Sequence, residues 1–329
     1  MVAFLVFIIF PINGKATEAE LNFYVTPEFP ESQIEGSNNY FDLNLEPGAK
    51  ETLSLKLQNA KSTPIKIQVT PHTAYTNVNG VVEYGRDAQH PDPTLPYSLD
   101  KLIKTSDVIE LAGNETKSIS VSLHMPKETF EGFLAGGLRI SEVKEDQIEE
   151  PNRDEGVAIK NEFAYVVGVI VSNTRHSVRA DLDLIDVFPD QLNYRNVVSA
   201  TIQNYMPTFV NRLSIEATVQ RSGEDDILYK SSKEMMQMAP NSSFNFPISL
   251  EGERFVSGEY VLKLHAKSSE DEWKWERSFI IEADQSRALN RTDVTIDNTI
   301  NWWMISAISL CLLLILIFLG MIKKRNKGE

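Results

Sequence analysis

Cysteine is almost absent from this sequence. Cys311 is the only one among 329 residues, and it lies inside the one long apolar run of the chain. The rest of the chain has no thiol, which excludes disulfides and cysteine-based metal sites.

Positive charge is also scarce. The chain has 32 Lys and Arg residues against 46 Asp and Glu residues, which gives a net charge of −14. A strongly acidic surface excludes nucleic acid as the expected partner. It also argues against charge-driven adhesion to an anionic wall polymer or lipid surface. Contacts with such a polymer would have to rely on hydrogen bonds, ring stacking and shape.

Motifs for catalysis and metal binding are missing as well. The five histidines include no pair at a metal-ligand spacing. There is no Gly-x-Ser-x-Gly, Walker or Rossmann pattern. Acidic residues are so numerous that carboxylate pairs occur by chance, so their number does not indicate a glycosidase. We therefore predict a protein that is not an enzyme, with no catalytic residues, no metal and no cofactor.

Long apolar runs are lacking except at the C-terminus, where residues 302–322 carry no charge. As a helix they would reach about 31 Å, close to the roughly 30 Å of a bilayer core. We predict a transmembrane helix over 302–322 and a basic cytoplasmic tail over 323–329. The alternative, a buried core helix, is disfavoured because polar residues are missing all around the circumference. Two interfacial tryptophans and three cations would anchor the helix: Trp302, Trp303, Lys323, Lys324 and Arg325.

A short apolar run near the N-terminus fits the same topology. Val2–Phe10 is followed by small residues around Lys15, a pattern typical of a signal peptide and its cleavage site. We predict a signal peptide over residues 1–19. The expected protein is therefore single-pass, with its bulk outside the membrane. An extracellular chain without disulfides indicates a bacterium with an outer wall.

The remaining chain alternates apolar and polar residues. Thr52–Leu57 and Ile65–Val69 place aliphatic residues at every second position, which indicates half-buried antiparallel strands. Asn79-Gly80 predicts a hairpin turn. We predict an all-β fold with two tandem immunoglobulin-like β-sandwich domains plus one C-terminal transmembrane helix. The predicted segments are a first sandwich over 20–172, a second over 173–284 and a stalk over 285–301.

A glycine-rich strand is the first candidate contact surface. Gly132, Phe133, Gly136 and Gly137 fall in a predicted strand, where glycine is normally unfavourable. One interpretation is a bulge or a close approach of two backbones. The other is an exposed ledge for a glycan or a partner strand.

A pair of tryptophans is the second candidate. Trp273 and Trp275 are two residues apart and therefore share one face of a strand. A core position is one interpretation, and an aromatic docking surface is the other.

Several short motifs follow one another in a recognisable order. In the first half of the chain they are Phe23–Pro27, Pro30–Gln33, Tyr40–Leu43, Glu46–Gly48, Asn79–Tyr84, Met125–Gly132 and Gly136-Gly137. In the second half they are Met238–Phe246, Gly258–Leu262, Trp273–Trp275 and Phe279. The two sets resemble the first and second domains of the WxL-interacting proteins of low-GC Gram-positive bacteria. The resemblance covers most of the chain and keeps the domain order.

The resemblance implies a first domain that binds peptidoglycan and a second that binds a host component. It also implies WxL-domain surface proteins as partners, with a host matrix protein as a further one. The resulting hypothesis is a membrane-anchored cell-surface scaffold or adhesion protein. Two alternatives stay open, a wall-active hydrolase with an unrecognised carboxylate pair and a strand-complementing chaperone.

Overall fold

A computed structural model of the chain describes residues 21–106, 108–143, 162–269 and 271–296, together with Leu310 and Ile315. This part of the chain is all-β, as the alternation predicted, with its strands arranged in five sheets and two short helices beside them. The predicted signal peptide lies outside the described residues.

The first domain contains eleven of the described strands and a one-turn helix. They are β1 (Phe23–Glu28), β2 (Phe41–Asn44), β3 (Lys50–Asn59), β4 (Ile65–Thr73), β5 (Tyr75–Thr76), β6 (Val82–Glu83), α1 (Leu99–Leu102), β7 (Ile103–Lys104), β8 (Ile109–Leu111), β9 (Thr116–His124), β10 (Leu134–Glu142) and β11 (Ala164–Ser172).

Two of its sheets pack face to face. One has the order β1-β3-β9-β7 and the other β2-β11-β10-β4-β8. Leu53, Leu55 and Leu57 of β3 are fully buried and share a single core with Val169 and Val171 of β11. Burying a side chain of this size stabilises the fold by about 1.5–3 kcal/mol. The period-two alternation thus fixes which face of each sheet turns inward.

The second domain contains seven of the described strands and a helix. They are β12 (Leu182–Leu192), β13 (Arg195–Asn204), β14 (Val210–Arg221), β15 (Ile227–Met238), β16 (Ser242–Ser249), β17 (Gly258–Ser268), β18 (Asp271–Ile281) and α2 (Ala283–Thr292). Its two sheets have the orders β12-β13-β16 and β15-β14-β17-β18. Phe244 and Phe246 from one sheet and Leu262 and Leu264 from the other share its core.

The α2 helix is attached to the second sandwich. The Asn196 N–H donates to Asp293 Oδ2 at 2.7 Å, just beyond the helix, and the Asn290 side chain donates to Phe255 O at 2.9 Å. Burial disfavours the charged form of Asp293, but hydrogen bonds from Thr295 and Asn196 outweigh it and hold the pKa of this carboxyl below its ordinary value. The segment predicted as a stalk over 285–301 therefore begins within this docked helix.

The predicted transmembrane helix has to be corrected. No helix in the described part of the chain is long and apolar enough to cross a membrane. The longer of the two, α2, has 10 residues and reaches only about 15 Å, half of a bilayer core. The predicted span 302–322 lies outside the described residues except for Leu310 and Ile315.

The fold class that included this helix, and the single-pass membrane localisation derived from it, are therefore wrong. The residues predicted to anchor the helix also lie outside the described part of the chain: Trp302, Trp303, Lys323, Lys324 and Arg325.

A small hairpin joins the two sandwiches. It consists of β5 and β6, antiparallel with Tyr75 opposite Glu83, and its turn confirms the hairpin predicted at Asn79-Gly80. We call residues 75–83 the clasp hairpin. Its tip docks on the second domain, where the Gln237 N–H donates to Gly80 O at 2.8 Å. Gly80 has φ +64°, and a Cβ there would lie 2.5 Å from Met236 Sδ and 2.9 Å from Met236 Cβ, so glycine is strongly favoured at this contact.

A buried ring of hydrogen bonds holds the base of the clasp hairpin. Ser242 Oγ donates to Ala239 O at 2.9 Å, and the Ala239 N–H donates to Thr76 Oγ1 at 3.0 Å. The hydroxyls of Thr76 and Ser242 are 2.6 Å apart. Because the Ser242 hydrogen is already used, Thr76 must donate to Ser242. Thr76 is 2% exposed and Ser242 3% exposed, so water cannot replace these bonds.

Replacement of Thr76 by valine tests this junction. The variant T76V keeps the shape of the side chain but leaves the Ala239 N–H without its acceptor. We expect a loss of about 1–3 kcal/mol in the free energy of unfolding, measured by denaturant titration. T52V is the matched control, because Thr52 is exposed on β3. Equal stability losses in the two variants would contradict the role given to the ring.

Replacement of Asp293 by alanine tests the docking of α2. D293A should lose about 1–3 kcal/mol at neutral pH, because the buried Asn196 N–H loses its acceptor. The pKa of Asp293 is lowered by folding, so its contribution is present above the unfolded pKa and disappears as pH falls through the folded pKa. The difference between wild type and D293A should therefore shrink in acid.

The control for this variant is D284A, at an exposed position in the first turn of the same helix. It should cost less than about 1 kcal/mol. A difference between wild type and D293A that stays constant down to strongly acidic pH would refute the assignment.

Candidate functional site

A cleft of about 610 Å³ opens where the two domains meet. It takes residues from both sandwiches and from the clasp hairpin that joins them. The lining residues are Tyr40, Val82, Glu83, Tyr84, Val166, Gly168, Ile170, Phe209, Asn211 and Gln237.

Tyr84 follows the clasp hairpin directly and lies over the glycine-rich strand β10. A Cβ at Gly137 would be 2.6 Å from Tyr84 O and 2.9 Å from Tyr84 Cβ. Tyr84 can therefore pack on β10 at Gly137 only because this residue has no side chain. Burial, and to a lesser extent the neighbouring Tyr40, raises the pKa of Tyr84 to about 12. The phenol stays neutral at physiological pH and keeps its hydrogen-bond donor.

Strand β11 and Tyr40 form the first-domain side of the cleft. Val167 and Val169 point into the core, so Val166, Gly168 and Ile170 point outward to the cleft. A Cβ at Gly168 would lie 3.2 Å from Tyr40 Cβ, which shows how closely Tyr40 covers the strand.

The second-domain side carries an aromatic ring and two amides. Gln237 Nε2 donates to Asn211 Oδ1 at 2.5 Å, which fixes the orientation of both amides and leaves the remaining amide groups for a ligand. The Phe209 ring lies 6.3 Å from the Phe133 ring, and the Arg175 guanidinium lies 5.5 Å from the centre of that same Phe133 ring.

These groups have the chemistry of a binding site. A concave surface that combines apolar and aromatic side chains with a few well-placed polar groups is a common form of ligand pocket. Tyr40, Tyr84 and Phe209 offer ring faces, Asn211 and Gln237 offer donors and acceptors, and Glu83 is the one carboxylate among the lining residues. An isolated carboxylate beside neutral groups has no partner for paired acid–base chemistry.

The glycine-rich candidate residues lie at the domain junction or under it. Gly132 has φ +65°, and a Cβ there would lie 2.0 Å from Pro207 O. Phe133 donates its N–H to the same oxygen at 2.8 Å. A Cβ at Gly136 would lie 2.2 Å from His72 O. All of these are close backbone approaches, and the ledge at Gly137 is occupied by the chain's own Tyr84.

Trp273 and Trp275 lie away from the cleft lining. Both are partly buried and pack against the second-domain core. Trp273 Nε1 donates to Asp181 Oδ1 at 2.8 Å. Burial opposes ionisation of Asp181, but hydrogen bonds from Tyr205 and Trp273 outweigh it and hold the pKa of this carboxyl below its ordinary value.

The cleft residues themselves were not predicted as a site. Tyr40 and Tyr84 stand in motifs that carry the family resemblance, which was the available signal. Phe209, Asn211 and Gln237 stand in no such motif, and only the contact between the domains brings them to the cleft.

A smaller cavity of about 220 Å³ also lies between the domains. Two of its carboxylates are already engaged, since Asp87 accepts from His72 and Asp100 accepts from Thr73. In the described ranges, no group of three or more His, Cys, Asp and Glu side chains is placed to hold a metal ion. The larger cleft is therefore the better candidate.

Several solved structures of fimbrial chaperones are distantly similar. The class 5 fimbriae chaperone CfaA has 13% identity and a TM-score of 0.30, covering 79% of this chain and 100% of that one. The E. coli chaperone DraB has 11% identity and a TM-score of 0.29, covering 79% and 95%. The Pseudomonas aeruginosa CupB2 chaperone has 14% identity and a TM-score of 0.26, covering 70% of this chain and 92% of that one. No match was found among curated proteins.

Two family models match in sequence order. The WxL Interacting Protein peptidoglycan binding domain matches residues 23–142, and the host binding domain of the same family matches residues 154–291. Together they span most of the chain and follow the order of the two sandwiches. The second match begins before β11, which pairs with β10 and β2 in the first sandwich. Domains of these kinds are those of a cell-surface binding protein. The chain therefore belongs to the WxL Interacting Protein family, as its ordered motifs predicted.

Proposed function

We propose that this protein is a non-enzymatic surface scaffold that holds WxL-domain proteins in its interdomain cleft and binds peptidoglycan through its first domain. The observation that carries the proposal is the cleft, because its ring faces and fixed amides come from both family domains at once. A site built from two domains requires both of them, in the contact that the clasp hairpin makes between them.

The electrostatics favour short-range contacts over long-range attraction. With a net charge of −14, the chain is repelled by anionic wall polymers at distances within the Debye length, about 8 Å at physiological salt. Binding to the wall must then come from hydrogen bonds and ring contacts, which salt screens little. Aromatic residues in desolvated pockets dominate binding energy in many protein interfaces, and the cleft offers three of them.

Binding of a WxL-domain protein to the full chain is the direct test. Y40A should weaken binding by about fivefold or more, because truncating a central aromatic typically costs over 1 kcal/mol. Calorimetric titration of wild type and variant measures this. Y24A is the matched control, since Tyr24 is 46% exposed, comparable to the 36% of Tyr40, but lies on β1 outside the cleft lining. Absence of binding by wild type, or equal losses in both variants, would defeat the proposal.

Peptidoglycan binding should depend only weakly on salt. The bound fraction in co-sedimentation with purified peptidoglycan should change by less than about twofold between low and moderately high ionic strength. A basic protein on the same material is the control, because its charge-driven binding should collapse. Loss of this chain from the pellet in moderate salt would refute the short-range mode of binding.

A further inference from the structure

The first half of β11 has an open edge. β10 pairs with all of Ala164–Val171 on one side, whereas β2 pairs only with Val169–Ser172 on the other. In the described part of the chain, no strand lies beside Ala164–Gly168 on the β2 side.

The main-chain groups on that side can be assigned from one hydrogen bond. Ser172 O accepts from the Leu45 N–H at 2.9 Å, so the main-chain groups of Ser172 point toward β2. Residues two apart in a strand point the same way. The N–H and C=O groups of Ala164 and Val166 therefore point toward the open edge. Such unpaired groups are a template for another strand.

The open edge borders the cleft. Val166 is 46% exposed, and its side chain lies against Gly85 and Gly137. A Cβ at Gly85 would lie 2.8 Å from Val166 Cγ2, and a Cβ at Gly137 would lie 3.2 Å from Val166 Cγ1. Val166, Gly168 and Ile170 line the cleft. A strand added beside Ala164–Val166 would therefore direct every second side chain onto the same face as Val166, toward the cleft.

We propose that the open edge of β11 accepts an extended segment of a WxL-domain partner by β-strand addition, with a Trp and a Leu two residues apart directed into the cleft. This inference rests on the proposed function. In a strand, residues at this spacing share one face. The cleft of about 610 Å³ lies within the roughly 300–1,000 Å³ of known ligand pockets. It has room for an indole ring and an isobutyl group together.

The chemistry of the surroundings fits this occupant. Tyr40, Tyr84 and Phe209 offer ring faces to an indole, for which edge-to-face and offset contacts are favourable. Glu83 lines the cleft and Glu162 lies exposed just before β11. A neutral or basic segment is therefore accepted and an acidic one is repelled.

Two synthetic peptides and the full chain test the proposal. Both peptides have about eight residues with high strand propensity, drawn from Thr, Val and Lys. One carries Trp and Leu two apart, and the other has the same composition with Trp and Leu adjacent, hence on opposite faces. The first should bind about tenfold or more tightly than the second. Equal affinities, or no binding by either, would overturn the proposal.

Amide hydrogen exchange gives the structural readout. In the free chain, the amides of Ala164 and Val166 should exchange quickly, whereas those of Tyr165 and Val167 point toward β10 and should exchange slowly. Addition of the first peptide should protect Ala164 and Val166. Binding without that protection would overturn strand addition, as would protection that depends on protein concentration alone, which would indicate a second copy at the edge.

The protein variants complement this measurement. V166P removes one outward N–H without removing a hydrogen bond to β10, and it should weaken peptide binding about tenfold or more. V166T keeps the N–H and the β-branched shape, so it should bind the first peptide more tightly than V166P does. If V166P does not fold, the exchange pattern of the wild-type chain decides. Similar affinity of V166P and wild type would count against the proposal.

The same measurements separate this inference from the proposed function. A WxL-domain protein that binds without protecting Ala164 and Val166 would leave the proposed function standing and overturn strand addition. Protection by the first peptide with no binding of a WxL-domain protein would leave strand addition at this edge standing, but it would overturn both the proposed function and the identity of the partner. A further outcome is that soluble peptidoglycan fragments compete with the peptide without protecting these amides. That result would assign the cleft to a glycan and overturn the proposal of strand addition.

Discussion

The hydrogen bonds between Thr76, Ala239 and Ser242 are buried contacts between two separately packed cores. Each sandwich has its own hydrophobic cluster. Burial of apolar area inside one sandwich does not determine the orientation of the other sandwich. Hydrogen bonds have direction and short range, so a buried ring of them fixes one orientation. The cleft depends on that orientation, because Tyr84 comes from one domain and Phe209 from the other. A junction with only apolar contacts could slide, and the cleft would have no constant shape.

Glycine makes the same junction possible on the steric side. At Gly80 a Cβ would meet Met236, and at Gly132 it would meet Pro207. In both places a residue of the first domain touches the second domain more closely than a side chain would permit. The backbone groups freed by this approach are used at once, since Gly80 O accepts from Gln237 and Phe133 donates to Pro207. The glycines therefore allow the close approach of the two backbones, and the interdomain hydrogen bonds form because of it.

The sequence was informative wherever one strand has one buried face. Leu53, Leu55 and Leu57 alternate with polar residues, and that pattern alone identifies β3. It failed where burial does not alternate. β15 continues to Met238, whereas its apolar signal is interrupted after Tyr229. The middle of this edge strand, from Lys230 to Glu234, is largely exposed and needs no apolar period, and only Met236 and Met238 return to the core. α2 was missed since only a few of its contacts are apolar and its docking relies on Asn290 and Asp293. The cleft could not be predicted because its two sides meet only through tertiary contact.

The open half of β11 differs from the other sheet edges in the described chain. Natural proteins protect edges with proline, short length, charge or bulges. β1 contains Pro27, β7 and β8 have two and three residues, β12 carries a bulge near Leu184, and β18 has Lys274 and Glu276. The segment Ala164–Gly168 has none of these features, and Glu162 precedes it. An apolar edge without protection is an aggregation hazard unless a partner covers it. Since the edge borders a cleft that requires both domains, the same partner that fills the cleft would also remove the hazard.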